Sequence, residues 1–358
     1  MPDLFDPISF GAIQARNRIV MAPITRGRAT RDHVPTPMMA DYYRLRADAG
    51  LIITEATGVC PQGLGWPYAP GIWSEAQVEA WKPVVDAVHR AGGKIVCQLW
   101  HMGRAVHSNF PGRGQPVSAS ATTAPGLAHT YEGRAPYPEA RPLRADEIPA
   151  LLEDFSRAAR NAQRAGFDGV QIHAANGHLI DQFLRDGTNF RTDNYGGSID
   201  NRGRLLREVA KAVVDTIGAA RTIVRLSPNG ERQGVKDSNP LEVFTRAAGV
   251  LSDMGIAFLE IRESDPKAPN GALGLPAVGR LMRAAFKGTF VISTDYDRAQ
   301  AQAALDAGRA DAVSIGRKFI SNPDLVRRFQ RGLPLTPDDP ETWYTQGPQG
   351  YLDYALAT

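Results

Sequence analysis

The stretch ADEIPALLEDFSRAARNAQRAGFDGVQIH, Ala145–His173, decides the fold. Over Ala145–Ala165 the apolar residues Ile148, Leu151, Leu152, Phe155 and Ala159 recur at the three-and-four spacing that gathers them on one helical face. Gly166 follows where such a helix should stop, because glycine takes the left-handed C′ conformation without steric penalty. Gly169–His173 is then a continuous apolar run. Parallel strands read this way when both faces are covered.

The same unit repeats in both directions. Further apolar runs lie at Arg18–Met21, Leu51–Glu55, Lys94–Leu99, Thr222–Ser227, Phe258–Ile261, Phe290–Thr294 and Ala312–Ile315. A second amphipathic helix is expected over Asn201–Ile217, using Leu205, Leu206, Val209, Val213 and Ile217. Gly50, Gly92, Gly218, Gly255 and Gly308 mark further helix ends. Strand, helix, glycine, repeated eight times, predicts one (β/α)8 barrel over residues 1–358. A doubly wound sheet would need a G-x-G-x-x-G turn after an early strand, and the first strand runs instead into APITRGRA, Ala22–Ala29. Two stretches interrupt the repeat. Residues 1–17 read as a hairpin at the barrel's N-terminal end. Residues 100–142, rich in Gly, Pro, Ser and Thr, form a long insertion placed to act as a lid.

Composition narrows the function. The 358 residues carry 41 Lys and Arg against 38 Asp and Glu, a net charge of +3, with no block of like charge that would suit nucleic acid. No apolar run is long enough to span a bilayer, and MPDLFDPISF lacks the pattern of a secretory signal. Cys60 and Cys97 form neither a CxxC pair nor a disulfide framework, and Cys97 within KIVCQL reads as a small buried hydrophobe. A cytoplasmic protein is expected, monomer or homodimer.

Catalytic groups of a barrel sit at the C-terminal ends of its strands. Those ends carry Pro23, Ile24 and Thr25; Glu55, Ala56 and Thr57; Gln98, Trp100 and His101; His173, Asn176 and His178; Arg225; Thr294 and Asp295; and Gly316 and Arg317. There is no G-x-S-x-G nucleophile and no H-E-x-x-H, so neither acyl transfer nor a metal centre is indicated. An amide, a guanidinium, a hydroxyl and imidazoles suit a planar heterocycle with carbonyls. Gly316 and Arg317 suit a phosphate after the last strand. A cofactor with one phosphate and a polar ring fits, and FMN is the common one.

Several motifs then carry a resemblance: NRIVMAPITR at Asn17–Arg26, QLWHMGR at Gln98–Arg104, IHAANGHLIDQFLRDGTNFRTDNYGGSIDNRGRL at Ile172–Leu205, DAVSIGRKFISNPDL at Asp311–Leu325 and GPQGYLDY at Gly347–Tyr354. Together, in this order, they resemble the old yellow enzyme family over about residues 3–354. The resemblance implies FMN across the barrel mouth, NADPH as reductant with NADH as the alternative, and activated alkenes (enones, enals, nitroalkenes, nitrate esters among them) as small-molecule substrates. It implies that Thr25 bonds a flavin carbonyl, that Pro23 and Ala56 contact the ring, that Gln98 bonds its pyrimidine edge and that Arg225 faces the part that becomes negative on reduction. His173 and Asn176 match the pair that binds the substrate oxygen. Trp100 matches a residue shaping the substrate cavity, with Trp66 and Tyr344 as rim candidates.

Two positions depart from the family. His178 stands where most members have a tyrosine proton donor. As an imidazolium, with a pKa near 6.5 against about 10 for a phenol, it would donate with a rate that falls as pH rises. Thr294-Asp295-Tyr296 replaces glycines or asparagine, and Asp295 is expected to turn away from the phosphate and cap a helix starting at about Arg298. Two rivals remain: a barrel that stores FMN without turning over, kept open by His178, and a dienoyl-CoA-type reductase, disfavoured because an iron–sulfur cluster needs more cysteines.

Overall fold

A computed structural model of the chain describes residues 2–110, 114–262 and 276–357. Eight parallel strands close on themselves: β1 (Ile19–Met21), β2 (Leu51–Ile53), β3 (Ile95–Trp100), β4 (Gly169–His173), β5 (Thr222–Leu226), β6 (Phe258–Arg262), β7 (Thr289–Ser293) and β8 (Ala312–Ile315). Val313 pairs with Ile19, which joins β8 to β1 and leaves no edge. The eight principal helices around them are α1 (Pro37–Arg44), α2 (Glu75–Arg90), α3 (Ile148–Arg164), α4 (Arg204–Ile217), α5 (Pro240–Asp253), α6 (Pro276–Ala285), α7 (Arg298–Asp306) and α8 (Leu325–Arg331). This is the expected (β/α)8 barrel.

Alternation along each strand sorts the side chains. Outward residues such as Cys97, Leu99, Ile172, Val224 and Ile292 pack under the helices in one large core. Inward residues split by height. Val20, Leu51, Val96, Ile223, Phe258, Val291 and Ala312 form an apolar layer near the strand starts. Two residues further along come Gln98, Arg225, Glu260, Ser293 and Ser314, all buried and polar. The barrel interior is therefore dry at one end and hydrogen-bonding at the other.

The dry end is plugged by the predicted hairpin. Ile8–Phe10 pairs antiparallel with Ile13–Ala15, and Phe10 meets Phe258 at 5.0 Å between ring centroids. The long insertion is ordered in part. Leu127–Thr130 and Gly133–Pro136 make an antiparallel hairpin, and Val117–Ser118 runs parallel to Arg141–Pro142. Trp100, placed at the insertion's start by sequence, is the last residue of β3.

Three local expectations need correction. The helix predicted from Ala145 opens with a 3-10 turn, Ala145–Glu147, before α3 proper. The one predicted from Asn201 is a short turn, Ile199–Arg202, followed by α4. Gly50 is not a left-handed helix stop: a Cβ there would lie 2.1 Å from the Asn17 carbonyl oxygen, so close backbone approach demands the glycine. Both cysteines are free and buried, and burial pushes each thiol up to about 12. Among the described residues no helix is long and apolar enough to cross a membrane.

Candidate active site

Two connected cavities open at the C-terminal ends of the strands. One, about 600 Å³, is bounded by Ala56, Trp66, Gln98, Trp100, His173, Asn176 and His178. The other, about 350 Å³, is bounded by Ser293, Thr294, Asp295, Gly316 and Arg317. They share Pro23, Ile24, Thr25, Arg225, Arg232, Arg262 and Tyr344, so they form one elongated trough. Every residue given a cofactor, catalytic or rim role from sequence borders it, whereas Glu55, Thr57 and His101, also at strand ends, do not.

The strand ends hold these side chains by means visible in the chain. Glu55, buried after β2, accepts from the Arg26 and Gly27 amides at 3.0 and 2.9 Å and so pins the loop carrying Pro23, Ile24 and Thr25. Across the barrel interior, Gln98 Nε2 donates to Gln171 Oε1 at 2.7 Å, and Gln171 Nε2 donates to Glu260 Oε2 at 2.5 Å. Glu260 Oε1 in turn faces Arg225 Nε at 3.4 Å, and Arg225 Nη2 donates to Ser293 Oγ at 3.2 Å. One polar chain thus ties together residues from β3, β4, β5, β6 and β7.

After β4 the chain turns sharply. Asn176 adopts φ 59°, and its amide donates to Ser227 Oγ at 2.7 Å. The Ala175 amide donates to His173 Nδ1 at 3.3 Å. Burial holds His173 well below the usual histidine pKa, with the charges of His178 and Arg225 adding to the effect. A neutral ring whose Nδ1 accepts carries its proton on Nε2, and that N–H is the donor left for a ligand. Trp100 lies nearly parallel to His173, centroids 6.2 Å apart, and edge-on to His178 at 5.0 Å.

His178 requires a correction. Burial, aided by the charge of Arg232, lowers its pKa to about 3. That shift favours a neutral ring over the imidazolium expected from sequence. The environment that sequence could not supply is the wall of Trp100, His173 and the neighbouring loops. Asp295 needs one as well. The cap of α7 is Asp297, which forms a reciprocal capping box with Gln300. Asp295 instead accepts from Arg317 Nη2 at 2.7 Å and from Lys318 Nζ at 3.2 Å.

The rim is aromatic. Trp66 lies 5.1 Å from Tyr344 and 4.4 Å from His129 between ring centroids. The insertion adds Pro125, Leu127, His129 and Tyr137 to the wall. Tyr344 belongs to a C-terminal strap gripped by two buried arginines. Arg28 donates to the carbonyls of Thr342, Trp343 and Gln349 at 3.0, 2.8 and 3.1 Å, and Arg26 donates to the Gly350 carbonyl at 2.7 Å.

Sequence reading missed Arg232 and Arg262. The second was within reach: strand 6 was ended at Ile261, whereas the alternation Phe258, Glu260, Arg262 puts the arginine on the inner face. Arg232 lies on the loop after β5, where no periodicity points.

The trough suits FMN by its own chemistry. Among the described residues, Trp100 Nε1, Asn176 Oδ1 and His178 Nδ1 are buried without a hydrogen-bond partner, and buried polar atoms of this kind call for a polar ligand. A Cβ on Gly316 would meet only Ile24 and Ala22 atoms at 3.7 Å or more, so protein packing does not require that glycine, whereas a phosphate approaching its backbone does. Gln98, Arg225 and Thr25 line a part whose donors and acceptors would suit a flat heterocycle, and Arg317 stands beside a part that would suit a phosphate.

A barrel with a polar, arginine-lined mouth of this kind suits a flavin oxidoreductase, and the comparisons with known proteins show that family. The chain belongs to the NADH:flavin oxidoreductase / NADH oxidase family, whose profile matches residues 3–336, and is of the old yellow enzyme type. It is 62% identical to the old yellow enzyme homologue from Zymomonas mobilis, with a TM-score of 0.97 over 99% of this chain and 100% of that one. It is 44% identical to morphinone reductase solved with tetrahydroNAD, with a TM-score of 0.94 over 100% of this chain and 98% of that one. Among curated sequences it is 43% identical to 12-oxophytodienoate reductase 1 of Oryza sativa subsp. japonica, over 98% of this chain and 92% of the relative.

Proposed function

We propose that the protein is a cytoplasmic ene-reductase that oxidises NADPH, or NADH as the alternative, and reduces activated alkenes through FMN. When bound, FMN would supply the hydride-transfer chemistry that links the nicotinamide to the alkene. The remaining chemistry falls to the chain. His173, through Nε2–H, and the Asn176 amide donate to the carbonyl or nitro oxygen of the substrate. Two donors there draw electron density from the alkene and stabilise the enolate-like charge that develops. Arg225, braced by Glu260 and Ser293, supplies a fixed positive charge beside the cofactor's polar edge. His178, as a neutral imidazole, delivers the α-proton from a ring N–H, directly or through one water. Trp100 sets the ring positions of both histidines, and Trp66 and Tyr344 bound the opening. Thr294 and Asp295 border the phosphate end, where Gly316 and Arg317 receive the charge.

The observation that carries this reading is the trio His173, Asn176 and His178 lining one cavity together with Thr25 and Arg225, the cross-strand neighbour of His173. The test is spectral. Purified protein is yellow, bleaches with NADPH without oxygen, and regains its colour on adding cyclohexenone. Protein that bleaches and is not reoxidised by any enone or nitroalkene would mean a flavin barrel without alkene chemistry. Protein that takes up no FMN at all would remove the cofactor.

A further inference from the structure

Four guanidinium groups face the trough, and two of them are already taken. Arg225 is paired with Glu260 at 3.4 Å, and Arg317 with Asp295 at 2.7 Å. Arg232 and Arg262 have no carboxylate partner among the described residues, although both border both cavities. The neighbouring carboxylate on the β5 loop, Glu231, is exposed and faces Lys236 at 3.6 Å.

Their position is informative. A Cβ on Gly177 would lie 2.2 Å from the Arg232 carbonyl oxygen, so the β5 loop is seated directly on the turn between Asn176 and His178. Arg262 reaches the same loop from β6: its Nη1 lies 3.8 Å from the place of a Cβ on Gly230. The two cations therefore stand at the His178 end of the trough as well as over its middle. The phosphate end, by contrast, has Arg317, Lys318 and the open backbone of Gly316. Clustered guanidinium groups repel one another. Burial, with the charges of Arg232, Arg225 and Arg317, lowers Arg262 to about 9, a cost that an anion between them would relieve.

We propose that Arg232 and Arg262 form an anion subsite at the outer side of the cavity, which selects activated alkenes bearing a carboxylate beyond the activating carbonyl. This rests on the ene-reductase reading above. Arginine suits the task because its planar fork holds a carboxylate through two parallel hydrogen bonds. A ligand held by His173 and Asn176 at its carbonyl would extend its far end toward these two side chains.

The experiment compares one alkene in two charge states, 4-oxohex-5-enoate and its methyl ester, in which the carboxyl group lies beyond the ketone and is not conjugated with the alkene, on the FMN-loaded enzyme with NADPH. The acid is expected to exceed the ester in kcat/KM by about tenfold, the scale of a partly screened charge-assisted pair. The ratio should collapse in R232Q/R262Q and be largely kept in R232K/R262K. It should also shrink in about 1 M KCl, where screening shortens to roughly 3 Å. Calorimetry with the saturated pair, 4-oxohexanoate and its methyl ester, reads the same preference without turnover. A binding preference lost in R232Q/R262Q upholds the subsite even if no alkene is reduced, in which case only the ene-reductase reading falls. An acid no better than the ester in the wild type would overturn the subsite. So would a ratio untouched by R232Q/R262Q, or a double variant whose defect is loosened FMN or a changed NADPH-over-NADH ratio alone.

Discussion

His173 and His178 stand at right angles, ring centroids 4.8 Å apart and planes at 85°. Two imidazoles that close, walled off from water, repel each other's protons, and burial depresses both. The rate of alkene reduction by reduced enzyme should then show no fall between about pH 6 and 8, the range in which an ordinary histidine titrates. Stopped-flow measurement across that range decides it. A decline centred near 6.5 would restore an imidazolium donor at His178.

The same depression has a stability consequence with a definite sign. In the unfolded chain His178 takes up a proton near pH 6.5, whereas in the fold it does so only at about 3. The unfolded state binds more protons in between, so stability is fully present above that window and is lost as pH falls through it. The drop in urea midpoint from about pH 7.5 to about pH 5.5, one unit either side of the unfolded value, should be smaller in His178→Phe than in the wild type.

Asp295 restrains Arg317 and Lys318 and adds a negative charge beside the phosphate end. Its side chain is 37% exposed, so the pair is partly screened. Asp295→Asn should tighten FMN by about two- to fivefold, the scale of a surface ion pair. Fluorescence quenching of FMN titrated with apoprotein measures this. Weaker binding in the variant would make Asp295 a brace for Arg317 instead of a competitor for it.

Arg28 is 1% exposed and feeds several acceptors of the 342–349 strap. Arg28→Ala strands those carbonyls and should cost about 3 kcal/mol. Lysine should not rescue it, since one ammonium cannot span the separate acceptors. Thermal melts report the loss, and proteolysis near Tyr344 should accelerate. An unchanged melt would mean that the strap is held elsewhere.

Gly177 has φ 76°, and a Cβ on it would meet the Arg232 carbonyl oxygen at 2.2 Å. Gly177→Ala is strained at its own backbone and pushes against another. We expect a loss of about 2 kcal/mol or more in stability and a displaced β5 loop, visible as faster amide exchange over residues 228–236. Gly218, also at positive φ but with nothing within 4 Å of its Cβ place, is the control: alanine there should cost less.

The barrel was legible because its evidence is repetitive. Each strand is a short, mostly apolar run with its polar residues mainly on the inner face, and helices such as α3 show their period plainly. The site was legible wherever it sits on a strand end: Gln98, His173 and Arg225 stand out by position, and the family resemblance supplies their roles. What the sequence could not carry is environment. The charge state of His178 depends on Trp100 and on a loop from another unit. Asp295 pairs across 22 residues of chain with Arg317, when a nearer capping residue, Asp297, was equally available in the sequence. Arg232 escaped because loops carry no period, and Arg262 because its strand was ended one residue short.

The polar chain through the barrel has a direction. Glu260, in its ion pair with Arg225, can only accept, so Gln171 must turn its NH2 toward it and its oxygen toward Gln98. Gln98 must then spend its own NH2 on Gln171, which leaves its carbonyl oxygen for the cavity. A carboxylate on the far wall thereby decides, two amides away, that the floor of the site asks its guest for a hydrogen. A flavin with its ring imide N–H intact answers that request, and one methylated at that nitrogen does not. Replacing Glu260 by Gln would let both amides flip and make the site indifferent to the difference.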